Sequence, residues 1–490
     1  MTLAPPSQQP RPCLSRGLPE PLPKDRLERV DAWGMATSAM SYVYRPVDEA
    51  GIREVLELAR RRGLTVGLRG AGRSYGDASL ASEQICLDLS RMNRILKWDR
   101  TRGIIRVEPG VTIRQLWQHT LEDGYWPFVV PGTMHPTLGG CAAMNIHGKN
   151  CWKAGPLGDH VRSFDLLLPT GEVRRCSRSE NRELFHAAIG GFGMLGCFLS
   201  LTLEMKRVHS GLLEVEPISV ENLGGMFQVF EEHLELADYL VGWVDCFAGG
   251  RALGRGLVHV ARHLLPGEDP APAQTLRVER QELPDTLFGW IPKSVMWRLM
   301  RPFTNNVGVR LVNAAKHWAG RRHSGRTHFQ SHAGFAFLLD YVPDWKRAYG
   351  PGGLIQYQSF VPRDAAPEVL AEQLRLCQRR GMPSYLGVFK RHRPDAFLMT
   401  HGLDGYSLAL DFKVTPRNRE RLWALAAEMD RLVLQAGGRF YFAKDSTLHP
   451  SRLEEYLGEE RVRRFLSLKA ECDPGSLLQT DLYRRVFAAS

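Results

Sequence analysis

The sequence predicts an α+β protein, and three observations predict it. At 490 residues, 43% of them hydrophobic, the chain is too long for a single core and divides into at least two domains. Two glycine-dense stretches, Gly67–Asp77 and Pro131–Gly140, lie in the first half and are followed by strand-like and mixed segments, not by one long helix. From about Leu212 onward, strand-like runs alternate with amphipathic helical runs, the pattern of an antiparallel sheet with helices on one face. The expected division is a Pro-rich disordered tail at 1–25, a first domain at 26–211, a second at 212–438, and a C-terminal segment, 439–490, that returns to the first domain.

The elements follow in chain order. Residues 48–62 place Ile52, Val55, Leu56 and Ala59 at helical spacing, with acids early and arginines late as the helix dipole favours. Short strands are expected at 65–68, 84–89 and 103–110, then a helix capped by Thr112. Cys197–Met205 reads as a strand. In the second half, strands are expected near 240–247, 354–361, 385–390 and 407–414, and helices near 221–236, 366–380 and 418–435, the last closed by Gly437-Gly438.

Composition narrows function. The nine cysteines are scattered with no C-x-x-C pair, so neither a zinc site nor a disulfide framework is indicated; no metal is expected, and a reducing, cytoplasmic compartment is. A net charge of +11 is mild for this length and favours anionic ligands or an acidic membrane surface over nucleic acid. No apolar run is long enough to span a bilayer, and the first twelve residues lack a signal core. The segment 292–326 mixes Trp297, Leu311 and Trp318 with arginines and reads as a mobile lid, a peripheral contact with the inner membrane face, or plain surface.

Glycine this dense lets backbone N–H groups close on a ligand. Two such loops, with Asn145, His147, Lys149 and Asn150 behind the second, suggest an elongated anionic ligand, and a dinucleotide fits best. A nicotinamide dinucleotide on a Rossmann unit requires strand, glycine turn, then helix; here strands follow the first loop. Gly191-Phe-Gly-Met-Leu-Gly196 matches G-x-G-x-x-G but also runs into a strand, so it reads as a tight turn.

The two loops in this order resemble the FAD-binding domain of the p-cresol methylhydroxylase and vanillyl-alcohol oxidase superfamily. Gly72-Arg-Ser-Tyr-Gly-Asp77, His147-Gly-Lys-Asn150, Gly158–Ser163, Ala348-Tyr-Gly-Pro351, Gln356-Tyr-Gln358, Val388-Phe-Lys390, Ala443-Lys-Asp-Ser446 and Arg484-Arg485 extend the likeness to the C-terminus. The resemblance implies a two-subdomain FAD-binding domain and a substrate domain over the flavin ring. It implies FAD contacts from Gly70, Ala71, Gly72, Arg73, Ser74, Tyr75 and Gly76 in the first loop. On the other side it implies contacts from Pro131, Gly132, Thr133, Thr137, Gly139, Gly140, Cys141, Asn145, His147, Gly148 and Asn150.

It also implies an activity: hydride transfer from a secondary alcohol of a sugar, such as a polyprenyl-phosphoryl ribose-like sugar, to flavin N5. Lys444 matches a catalytic lysine, which stabilises the reduced ring, orients the hydroxyl or acts as base. His147 is a second candidate, as base or hydrogen-bond donor, and Tyr75 a third. Lys149, Trp243, Gln356, Gln358, Lys390, Ser407 and Lys444 are expected to meet substrate; the two glutamines, two residues apart on a strand, share one face. The likeness further implies a ketoreductase partner. Ser407 and Ala409 replace an Asn and a Cys of the resembling enzymes, which alters the pocket and leaves no thiol for inhibitors to trap there. A polyol or aldonolactone oxidase and a flavin-dependent alkene reductase are alternative readings.

Many superfamily members bond flavin to a His of the first loop or a Cys of the second, and this chain has Arg73 and His135 there. FAD is therefore expected to be non-covalent. Acid or heat denaturation should release all of the yellow cofactor into the supernatant; flavin retained in the precipitate would refute this.

Overall fold

The computed structural model describes residues 22–287 and 289–488, in which helices and sheets are mixed throughout. Most of the Pro-rich tail lies outside the described residues. Within its last part Leu22 is buried against the helix Glu49–Arg62 and the neighbouring strands.

A first sheet of four strands runs in the order Leu27–Asp31, Ser38–Tyr44, Ile85–Asp88, Val66–Arg69, antiparallel in its first pair and parallel thereafter. The Glu49–Arg62 helix covers it through Ile52, Val55, Leu56 and Ala59, with Asp48 capping the N-terminus and Gly63 ending it at φ 64°. The free edge of Val66 is met from the far end of the chain: Val66 N–H donates to Leu477 O and Gln479 N–H donates to Val66 O. A second, antiparallel sheet runs Ile95–Asp99, Ile104–Val107, Cys197–Arg207, Val161–Leu167, Val173–Ser177, with Tyr125–Pro127 also on the long central strand. Thr112 caps the helix Ile113–Thr120 in a reciprocal box with Gln115.

A third sheet has eight antiparallel strands, from His328–Ser331 through Leu212–Val220, Gly256–His263, Tyr239–Val244, Leu386–His392, Gly405–Lys413 and Leu354–Pro362 to Arg439–Phe440. Register sets what each face carries. Gln358 pairs with Ala409, Gln356 with Asp411 and Lys390 with Ser407, so these polar residues share one face with Trp243 and Val388. The other face holds Phe389, Leu408 and Ser359 under the helices Leu223–His233, Ala366–Arg379 and Arg419–Gln435; Ser359 donates to Gln373 and Phe389 stacks on Tyr406.

Helices on one face alone is too simple, however. The helix Asn306–His323 lies on the polar side of the sheet, where Lys316 Nζ stands 4.2 Å from the Trp243 ring centre. Among the described residues no helix is long and apolar enough to cross a membrane.

Candidate functional site

Both glycine loops, the strap of residues 339–345, the polar face of the third sheet and residues 441–444 enclose a cavity of about 370 Å³. Backbone geometry makes the first loop an anion cradle. Gly72 holds φ 62°, and among the described residues no protein acceptor takes the N–H of Ala71, Gly72, Arg73 or Ser74. The loops touch so closely that a Cβ on Gly70 would fall 2.1 Å from Thr137 Oγ1. Unmatched donors in a crevice too narrow for side chains fit a pyrophosphate. Arg73, half-buried on the lining, adds positive charge.

The second loop is held by Asp340, which accepts from Thr133 Oγ1 (2.7 Å) and Met134 N–H (2.8 Å). Pro131, Gly132, Thr133, Thr137, Gly139, Gly140, Cys141, His135 and His147 all line the cavity. Gly76, Asn145, Gly148 and Asn150 sit behind the lining. A Cβ on Gly76 would strike Asp445 O, Asn145 accepts from Gly158 N–H, and Asn150 donates to Phe128 O.

Lys444 reaches the cavity because the C-terminal segment is pinned to the first loop. Tyr75 N–H donates to Ala443 O (2.9 Å). Arg485 donates to both Asp77 carboxylate oxygens (2.8 and 2.9 Å) and to Asp445 (2.7 Å), joining the end of the loop to the residue after Lys444. Lys444 Nζ then lies 3.7 Å from the Tyr75 ring centre. Burial pulls its pKa down to about 7, against the attraction of Asp411 and with Lys390 assisting.

Asp411, which sequence reasoning left out of the site, is fully buried on the adjacent strand. Its Oδ1 accepts from Gln356 (2.5 Å), its Oδ2 has no partner, and burial raises its pKa to about 7. The available signal was a lone carboxylate within the apolar run Leu408-Ala-Leu-Asp-Phe412. Tyr75, also fully buried, directs its hydroxyl to Gln356.

His147 stands beside this pair, with its Nε2 3.2 Å from the Gln358 amide nitrogen and its Nδ1 3.5 Å from Lys390 Nζ. Burial, then the charges of Lys390, His392 and His401, hold its pKa well below the usual histidine value, so the ring is neutral. Ser407 links Gln358 (3.3 Å) to His392 (2.8 Å). Burial lowers the Lys390 pKa to about 8. Donor atoms of His147, Cys151 and His392 lie within 4.8 Å of one another. With the Cys151 thiol pushed up to about 12 by burial and Lys390 adjacent, this set is poorly matched to a cation.

Two of the expected substrate contacts, Lys149 and Trp243, lie outside the residues that line this cavity. Lys149 turns away from the cavity, donating to the Phe335 carbonyl beneath that residue's ring. Trp243 is buried under Lys316. Both lie on the polar side of the sheet, but toward the strands remote from Lys444. His401 and Tyr441, packed at 4.4 Å between ring centres beside His147, had no local sequence signal.

Comparison with known proteins agrees with this geometry. Residues 40–177 match a family described as an FAD binding domain. The chain is 29% identical over 467 residues to decaprenylphosphoryl-beta-D-ribose oxidase of Mycolicibacterium smegmatis, covering 94% of this chain and 97% of that protein. It is 29% identical over 197 residues to L-gulonolactone oxidase of Mus musculus (40% and 43%), and 29% over 181 residues to D-lactate dehydrogenase of Anaerostipes hadrus (35% and 37%). The chain is thus an FAD-dependent oxidoreductase whose relatives include FAD-linked oxidases. Its similarity to decaprenylphosphoryl-beta-D-ribose oxidase runs nearly end to end.

The Arg485 clip makes a direct prediction. Arg485→Ala leaves two buried carboxylates facing each other and should cost roughly 3 kcal/mol of stability, read as a lowered denaturation midpoint. It should also slow flavin reduction by substrate in the protein that remains folded, because Lys444 loses its tether. Unchanged stability together with unchanged reduction would remove the clip from the argument.

Proposed function

We propose that this protein oxidises a secondary alcohol of a sugar to a keto sugar, with non-covalent FAD as hydride acceptor and a polyprenyl-phosphoryl ribose-like sugar as the leading substrate. The observation that carries the reading is Lys444 at the cavity wall with a pKa near 7, beside an equally poised Asp411. The near end-to-end similarity to decaprenylphosphoryl-beta-D-ribose oxidase supports the substrate class. FAD, when bound, supplies the two-electron acceptor; the first-loop amides and Arg73 would grip its diphosphate, with Thr133, Thr137, Gly139 and Gly140 opposite.

The protein's own task is to place the C–H, take the hydroxyl proton and exclude water. Lys444 is the group best matched to a proton transfer at neutral pH, since His147 is too weak a base to hold a proton there. His147 instead offers a neutral ring between an amine and an amide, suited to hold a sugar oxygen. Gln356, Gln358, Lys390 and Ser407 supply further donors on one sheet face. A keto product suits a second hydride transfer by a ketoreductase, the partner this reading expects.

Lys444→Ala should slow anaerobic bleaching of the flavin by substrate about 100-fold or more while FAD remains bound; wild-type rates would exclude Lys444 from the chemistry. Asp411→Asn removes the attraction that raises the Lys444 pKa. The midpoint of the pH–rate profile, expected near 7 in the wild type, should therefore move to lower pH. A midpoint that stays or moves up would separate the two residues. Screening polyols, aldoses and polyprenyl-phosphoryl sugars in the same assay tests the substrate class.

A further inference from the structure

The helix Asn306–His323 is amphipathic in the wrong sense for a monomer's surface. It buries Gly308, Asn313 and His317, with Asn313 donating to Asp245 (3.0 Å) and Lys316 turned in over Trp243. Its apolar residues face outward: Val307, Leu311 and Trp318, spaced four and seven residues apart and so on one stripe, are 71%, 64% and 57% exposed. An ordinary surface helix places that stripe against the core. Trp290, Leu299, Phe303 and Phe329 extend the exposed apolar area on neighbouring segments. Single exposed hydrophobics need no explanation, but several within one short stretch of chain, three of them on one helix stripe, mark an interaction surface.

Charge identifies the partner. Between Asp285 and Asp340 the sequence contains no Asp or Glu and eight Lys or Arg, so most of the chain's net +11 is concentrated here. Among the described residues no carboxylate pairs with Arg298, Arg301, Arg310, Arg322 or Arg326. Arg322 instead lies over the Trp318 ring, 3.3 Å from its centre. A second copy of this chain would bring like charge against like. Apolar side chains ringed by unpaired arginines and tryptophans match an anionic bilayer surface, where the apolar stripe enters the acyl boundary and the cations meet lipid headgroups.

The patch also adjoins the cavity. The helix Met296–Met300 packs on the segment Trp345–Tyr349, with Arg347 5.8 Å from the centre of the Trp297 ring, and Trp345 lines the cavity. We infer that the 290–329 face seats the protein on an anionic lipid surface with the cavity wall at Trp345 turned toward it. This stands on charge and exposure and needs no assumption about the substrate.

The test is co-sedimentation of the purified full chain with vesicles of phosphatidylcholine alone or with about one-third phosphatidylglycerol, at low and high salt. Binding is expected only with the anionic vesicles, weakened by salt. It should fall at least about tenfold in Leu311→Glu/Trp318→Glu and in Arg310→Glu/Arg322→Glu, variants that should keep the wild-type flavin spectrum and melting temperature. Equal binding to neutral vesicles, no binding, or folded variants that bind like wild type would overturn the inference. So would a salt-insensitive dimer in solution that these substitutions dissociate, which would assign the face to self-association.

Discussion

Everything placed around the cavity depends on one ion triad, Asp77–Arg485–Asp445. The first glycine loop carries no lysine to serve the chemistry, and Lys444 belongs to a segment nearly 370 residues further along the chain. Arg485 joins them by forking onto Asp77 and reaching Asp445 with the same guanidinium. Both carboxylates are buried, so neither tolerates losing the cation. The triad holds a close approach in place: Gly76 lies so near Asp445 that no side chain fits between them. Main-chain pairing of Val66 with residues 477 and 479 fixes the same return from the other side of the first sheet.

That fixed geometry explains the electrostatics of the cavity floor. Lys390, Lys444 and His147 are gathered with the carboxylate of Asp411, and all are buried. Desolvation opposes charge on every one of them, so the amines are drawn down and the acid is drawn up until Lys444 and Asp411 meet near neutrality. At such a pair one proton is shared at little cost, and the proton belongs to the pair more than to either residue. An excess of cations over carboxylates favours anionic occupants and growing negative charge.

Local pattern reading recovered the regular elements well where hydrophobic period was clean. The helices expected at 366–380 and 418–435 appear as Ala366–Arg379 and Arg419–Gln435, and the Thr112 cap is a full capping box. Leu212–Val220 was passed over because Glu214, Glu216 and Pro217 dilute its alternation. The fold tolerates Pro217 because the outer neighbour, His328–Ser331, pairs only as far as Val215. The glycine loops were legible because close approach leaves a compositional mark, as at Gly70 against Thr137. Asp411, Asp340, His401 and Tyr441 were not, since each enters the site through sheet register or a long connection that sequence spacing does not encode. Lys149 and Trp243 stand apart from the cavity lining for the same reason, set by strand order and not by spacing along the chain.

The third sheet divides two duties between its faces, and the Asn306–His323 helix shows why the division matters. Helices Leu223–His233, Ala366–Arg379 and Arg419–Gln435 bury one face and supply its apolar contacts. The opposite face is freed to carry Gln356, Gln358, Lys390, Ser407 and Asp411, which would be costly to bury without mutual hydrogen bonds. Toward the outer strands the same face turns apolar, with Leu213, Val215, Tyr239 and Val241 clustered there. The Asn306–His323 helix is anchored at the strand ends, where Asn313 donates to Asp245 and His317 Nε2 lies 3.3 Å from Val220 O. With those polar residues turned inward, Val307, Leu311 and Trp318 are left on the exposed side, beside the arginines of the same segment.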